Sequence, residues 1–128
     1  MPHIEDKIIS FGNLEEGWNF GEGSPASKEV IDKALEIYWI GRRYKLACEV
    51  FPATDCGIMV SFYKEDQFID FDIETDLHIN FVREVGIGFK YEEVECVENI
   101  SHQDIINKIY NLATSTIEEV YDDRYNKR

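Results

Sequence analysis

The sequence predicts an α+β fold, an antiparallel β-meander of four to five strands with two main helices packed on one face. Three observations predict it. Apolar residues recur at helical spacing over 25–42 and again from 101 to 120. Between these stretches, from 44 to 97, the apolar period changes to two. The segments joining the alternating runs are short, and successive strands joined by short connections pair antiparallel.

The first element is a short helix over about 3–12. Ile4, Ile8, Phe11 and Leu14 share one face, with Glu5, Asp6 and Lys7 between them. A glycine-rich loop over 14–27 follows. Gly17, Gly21 and Gly23 let the chain turn at positive φ at little cost. Trp18 and Phe20 gain by burial, so they are expected to anchor the loop, with Trp18 packed on the next helix. Ser24 and Pro25 read as N-cap and first helical residue, with Ser27 the alternative cap. In the helix over 25–42, Val30, Ile31, Ala34, Leu35, Tyr38 and Trp39 make an apolar face. Gly41 and the pair Arg42-Arg43 suit its C-terminal end.

Strand residues then alternate. Leu46, Cys48 and Val50 lie on one face of the first strand; Ile58, Val60 and Phe62 on the same face of the second. Ile69, Phe71 and Ile73 alternate with Asp70, Asp72 and Glu74 in the third. Ile79 and Phe81 continue a fourth, and Phe89 and Tyr91 start a fifth after a Gly86-Ile87-Gly88 turn. One sheet face is therefore buried and the other wet. The third strand decides the register, because a slip of one residue would bury three carboxylates together. The last helix opens with Ser101 as N-cap and Ile100 with Ile105 as a hydrophobic staple. It weakens at Thr114-Ser115-Thr116 and resumes through Ile117, Val120 and Tyr121. Residues 1–128 are expected to form one α+β domain, with 1–24 as N-terminal helix and loop and 121–128 as a frayed tail.

Composition narrows the function classes. The formal net charge is −13, from 26 acids and 13 bases. Residues 44–100 hold 13 acids and 4 bases, a net −9. A field of that sign repels nucleic acid and anionic membranes and favours a basic protein partner. No apolar run is long enough to span a membrane and no signal peptide is visible. Three widely spaced cysteines, Cys48, Cys56 and Cys96, fit a reducing cytoplasm rather than a disulfide framework.

The constellations point away from catalysis. Asp70, Asp72 and Glu74, with Asp76 just beyond, could offer oxygens to a hard cation in a metal-dependent hydrolase. Successive carboxylates on one strand face stand about 6–7 Å apart, too far to chelate one ion unaided. A solvated acidic face is the plainer reading. His3, His78 and His102 have no zinc-ligand spacing, and Cys96 with His78 is outweighed by a buried structural cysteine. Gly21-Glu22-Gly23 lacks the preceding strand and following lysine of a phosphate cradle. Tyr38, Trp39 and Tyr44 could line a small-ligand pocket, although aromatics on a helical face usually serve the core.

The run Leu14-x-x-Gly17-Trp18-Asn19-Phe20-Gly21-x-Gly23-x-Pro25, followed by an amphipathic helix and an acidic-faced meander, resembles a diffuse set of small uncharacterised bacterial proteins. These carry a Gly-Trp-Asp-Gly-Tyr-Gly type loop before a Pro-started helix. Asn19 and Phe20 stand here where the set has Asp-Gly, and the resemblance covers about 14 to 75. It implies an α+β domain of bacterial or phage-type origin and supplies no activity, cofactor or site residue. The expectation is thus a non-catalytic interaction or accessory protein without metal or cofactor, docking a basic partner through Asp70, Asp72, Glu74 and Asp76.

Overall fold

The computed structural model describes residues 3–115. Its elements are α1 (Ile4–Ser10), a 3-10 turn (Phe11–Asn13), α2 (Lys28–Arg43), β1 (Ala47–Pro52), β2 (Ile58–Lys64), β3 (Gln67–Ile73), β4 (Ile79–Ile87), β5 (Lys90–Val97) and α3 (His102–Thr114). The strands form one antiparallel sheet in the order β1-β2-β3-β4-β5, the meander that the short connections imply.

The register follows the alternation. Ile69, Phe71 and Ile73 are at most 1% exposed, and across the sheet Val60, Phe71 and Phe81 stand opposite one another. The Phe71 ring lies 6.3 Å from that of Phe62 and 5.3 Å from that of Phe81, within the range where aromatic pairs attract. β4 runs on through Gly86 and Ile87, so the β4–β5 turn is tighter than the glycines suggest. Phe89 sits on that turn, fully exposed, and not in a strand.

α2 starts three residues later than the Ser24-Pro25 pair indicates. The Ser27 hydroxyl accepts from the Val30 N–H at 3.3 Å, making Ser27 the cap. Ser24 is engaged elsewhere, donating to Glu16 Oε2 at 2.6 Å. The Ala26 N–H donates to the Phe11 carbonyl at 3.0 Å, which ties residue 26 to the 3-10 turn. The buried stripe of α2 is Val30, Ala34, Ile37, Ile40 and Gly41, rotated from the expected one, so Trp39 faces outward at 47% exposure. Gly41 accounts for the rotation. A Cβ there would lie 2.1 Å from Phe62 Cε1, so the helix crosses β2 at a point that only glycine allows. Gly41 is thus a packing residue inside the helix, not its terminator.

α3 begins as read, with the Ser101 hydroxyl accepting from the Asp104 N–H at 3.1 Å. Ile105, Ile109 and Leu112 are buried. Lys64 Nζ donates to the Ala113 and Ser115 carbonyls at 2.8 and 2.7 Å, satisfying acceptors that the last turn leaves open. The resumption of this helix over Ile117–Tyr121 and the tail 121–128 lie outside the described residues.

Buried residues of α1, α2 and α3 join those of β1–β4 in one core. α1 also closes the β1 edge. Glu49 Oε1 accepts from Val50 N–H at 3.1 Å and from Lys7 Nζ at 2.7 Å, while Lys7 lies 5.7 Å from the Phe51 ring centroid. Among the described residues, no helix is long and apolar enough to cross a membrane.

Candidate functional site

Strand geometry sends alternate side chains to opposite faces, so the face away from the helices is fixed by the same register as the core. Glu49, Ser61, Asp70, Val82 and Cys96 stand side by side across it. The next row holds Phe51, Met59, Asp72 and Asn80. α1 reaches only their β1 end, where Lys7 bonds Glu49 and lies over Phe51; no described contact brings a helix onto the β2–β5 part.

The carboxylates converge at the end of β3. Ser61 Oγ donates to Asp70 Oδ1 at 2.5 Å, and Asn80 Nδ2 donates to Glu74 Oε1 at 3.1 Å. Partial burial raises the Asp72 carboxyl above the usual aspartate range, with Asp55, Glu74 and Asp70 adding repulsion. Asp72 is nonetheless exposed at the residue level. Among the described residues, Asp70, Asp72 and Glu74 form no ion pair. Asp76 pairs with His78 Nδ1 at 3.0 Å in the β3–β4 turn. Glu74, Asp76 and His78 each offer a ligand atom within 4.8 Å of the others. That trio differs from the strand carboxylates Asp70, Asp72 and Glu74 that the sequence singles out.

The other half of the same face is aromatic. Tyr63 and Phe68 are opposite one another in β2 and β3, with ring centroids 5.5 Å apart. Tyr91 of β5 stands opposite Gly86, and its ring crosses that glycine to meet Phe68 edge-on at 4.9 Å. A Cβ on Gly86 would come within 3.0 Å of the Tyr91 ring. Tyr63 and Tyr91 remain 38% and 52% exposed. Glu84 lies opposite Phe68, and Glu93 opposite Glu84. Sequence reading misses this cluster because Phe68 falls just outside the Ile69-Phe71-Ile73 alternation and Gly86 looks like a turn.

The remaining candidates separate. Phe20 is not an anchor. Asn19 and Glu22 close a two-residue hairpin by hydrogen bonds of 2.8 and 3.0 Å, which puts Phe20 at its tip, fully exposed with φ 54°. Trp18 is half-buried against the loop itself. Its Nε1 donates to the Ser24 carbonyl at 3.2 Å, and a Cβ on Gly23 would meet its indole at 2.6 Å. Gly21 flanks Phe20 at the tip, and Pro25 precedes the helix instead of starting it.

Cys96 is exposed, not buried. It stands opposite Val82, about 13 Å along β4 from His78 at strand rise, so the two do not pair. Burial, with repulsion from Glu49, pushes the Cys48 thiol up to about 12, which keeps it protonated and unreactive. Trp39 and Tyr44 line a shallow depression with Glu36 and His102, whereas Tyr38 faces a separate one beside His3 and Arg42. A groove of about 400 Å³ between α3 and the sheet carries a charged set absent from the sequence reading. Arg83 Nε lies 3.5 Å from Glu95 Oε1, and Lys108 bonds the other oxygen of Glu95.

No family model, no curated protein and no solved structure matches the chain.

Proposed function

We propose that the protein is a non-catalytic interaction protein whose acidic sheet face docks a basic protein partner. The observation that carries this reading is a sheet face left uncovered by the described helices, on which Asp70, Asp72 and Glu74 stand without a described cation. Lys7 pairs with Glu49 at the β1 end of this face, and Lys28, Lys33 and Arg42 are paired elsewhere. Beside partial burial, repulsion from Asp55, Glu74 and Asp70 raises the Asp72 carboxyl, and a cation brought to this spot would relieve that repulsive part. A surface of this sign speeds encounter with a basic partner and disfavours nucleic acid. The free thiols Cys48, Cys56 and Cys96 support a cytoplasmic setting.

The test is a pull-down from native lysate at low and high salt, with wild type and an Asp70→Lys, Asp72→Lys, Glu74→Lys variant. A basic protein should be retained by wild type at low salt, weaken as salt screens the charges, and be lost with the variant. Equal retention by the folded variant would move the interface off this face.

Glu74, Asp76 and His78 favour a second reading, a metal-dependent hydrolase. It predicts a rise in melting temperature with added divalent metal that His78→Ala abolishes, together with metal-dependent hydrolysis.

A further inference from the structure

We infer that the partner is recognised through arginine, which the exposed rings of Tyr63 and Tyr91, with Phe68 between them, select over lysine. The inference rests on the docking reading above and adds its specificity element. Three rings in a row, Phe68 touching Tyr63 on one side and Tyr91 on the other, with the two tyrosines substantially exposed, are an unusual surface for a part of the sheet that has no described cover. Clustered aromatics are what binding hot spots are made of, since they offer large contact area with few rotatable bonds.

The surroundings define the occupant. Glu84 is the cross-strand neighbour of Phe68, and directly opposed Cα atoms stand about 5 Å apart. Asp70 lies two residues along β3, about 7 Å away on the same face. Glu93 extends the acidic flank on β5. A group suited to this patch must carry positive charge, lie flat on a ring and donate to a carboxylate at its edge. The guanidinium does all three. It is planar, weakly hydrated and able to bond a carboxylate through two N–H groups, whereas an ammonium is compact and strongly hydrated. The molecule's own lysines show that its rings accept cations, with Lys7 over Phe51 at 5.7 Å and Lys108 over Phe81 at 5.4 Å. Among the described residues no cation lies over Tyr63, Phe68 or Tyr91.

Hexa-arginine and hexa-lysine peptides carry equal charge and separate this inference from plain electrostatics. Binding is measured by calorimetry at moderate salt. Wild type should bind hexa-arginine about 3- to 10-fold more tightly than hexa-lysine, the range for one or two cation–π contacts. Tyr91→Ala and Tyr63→Leu should bring the two affinities together, and Tyr91→Phe, which keeps the ring, should preserve the difference. Both tyrosines are exposed, so the variants should fold, and circular dichroism is the control for that. Equal affinity of wild type for both peptides, or a preference that survives in the folded Tyr91→Ala, Tyr63→Leu double variant, overturns the arginine inference and leaves the docking reading standing. Failure of wild type to bind either peptide overturns the docking reading itself.

Discussion

The two faces of the sheet are made by the same strands, and their difference lies in what each meets. On the covered face, Val60, Phe62, Ile69, Phe71, Ile73 and Phe81 lie against α2 and α3 and are at most 1% exposed. On the open face, Met59, Tyr63, Phe68, Val82 and Tyr91 alternate with carboxylates and meet no described helix. The open face carries apolar and aromatic area beside a carboxylate row, with Lys7 the cation at its β1 end. The covered face admits charge only where it is paired, as in the Arg83, Glu95 and Lys108 set beside α3.

The largest expected effect breaks the covered face. Phe71→Asp should abolish folding, because it places a carboxylate between Phe62 and Phe81, and Phe71→Ala should cost about 3–5 kcal/mol in chemical denaturation. Asp72→Lys, one residue along and on the other face, should leave a folded protein with nearly the same melting temperature. The reverse ranking would invert the assignment of the faces.

Next in size is Gly41→Val. A side chain there drives into Phe62, so a loss of about 1–3 kcal/mol is expected from overpacking, measured by urea unfolding. A neutral result would mean that α2 does not cross β2 at this point.

The loop gives a smaller contrast. Trp18→Ala should cost about 1 kcal/mol, since the indole closes the loop on Gly23 and Ser24 without being fully buried. Phe20→Ser should stay within about 0.5 kcal/mol, as expected for a fully exposed side chain. Equal losses would show that Phe20 is held after all.

The smallest effect sharpens the electrostatics of the open face. Because the Asp72 carboxyl is raised in the folded chain, its ionised form disfavours the native state at neutral pH. Asp72→Asn should raise the melting temperature there. The advantage should shrink as pH falls through the raised value toward that of an ordinary aspartate, where wild type is also protonated. A variant advantage that grew on acidification would have the wrong sign for this account.

Much of the fold was legible because period-two and helical patterns report burial directly. The antiparallel meander, read as four to five strands, the register of β3 and the caps Ser101 and, as the alternative, Ser27 all follow from side-chain type and spacing. What escaped depended on contacts between distant residues. The rotation of α2 hangs on one close approach between Gly41 and Phe62, which helical periodicity does not contain. Phe20 is apolar, yet a two-residue hairpin puts it at the tip regardless of its preference for burial. The acidic row was visible in strand three alone. The aromatic cluster was not, because it takes one residue from each of three strands and a glycine that lets Tyr91 cross.

The central claim, that the open face is the docking surface, is tested most directly by methyl NMR with the hexa-arginine peptide as probe. Met59 and Val82 report on the open face, and Ile9 and Ile106 on the helical side. The account predicts shifts of the Met59 and Val82 methyls at low salt that reverse as salt is added, with Ile9 and Ile106 unmoved. Shifts confined to Ile9 and Ile106, with Met59 and Val82 unchanged, would contradict it.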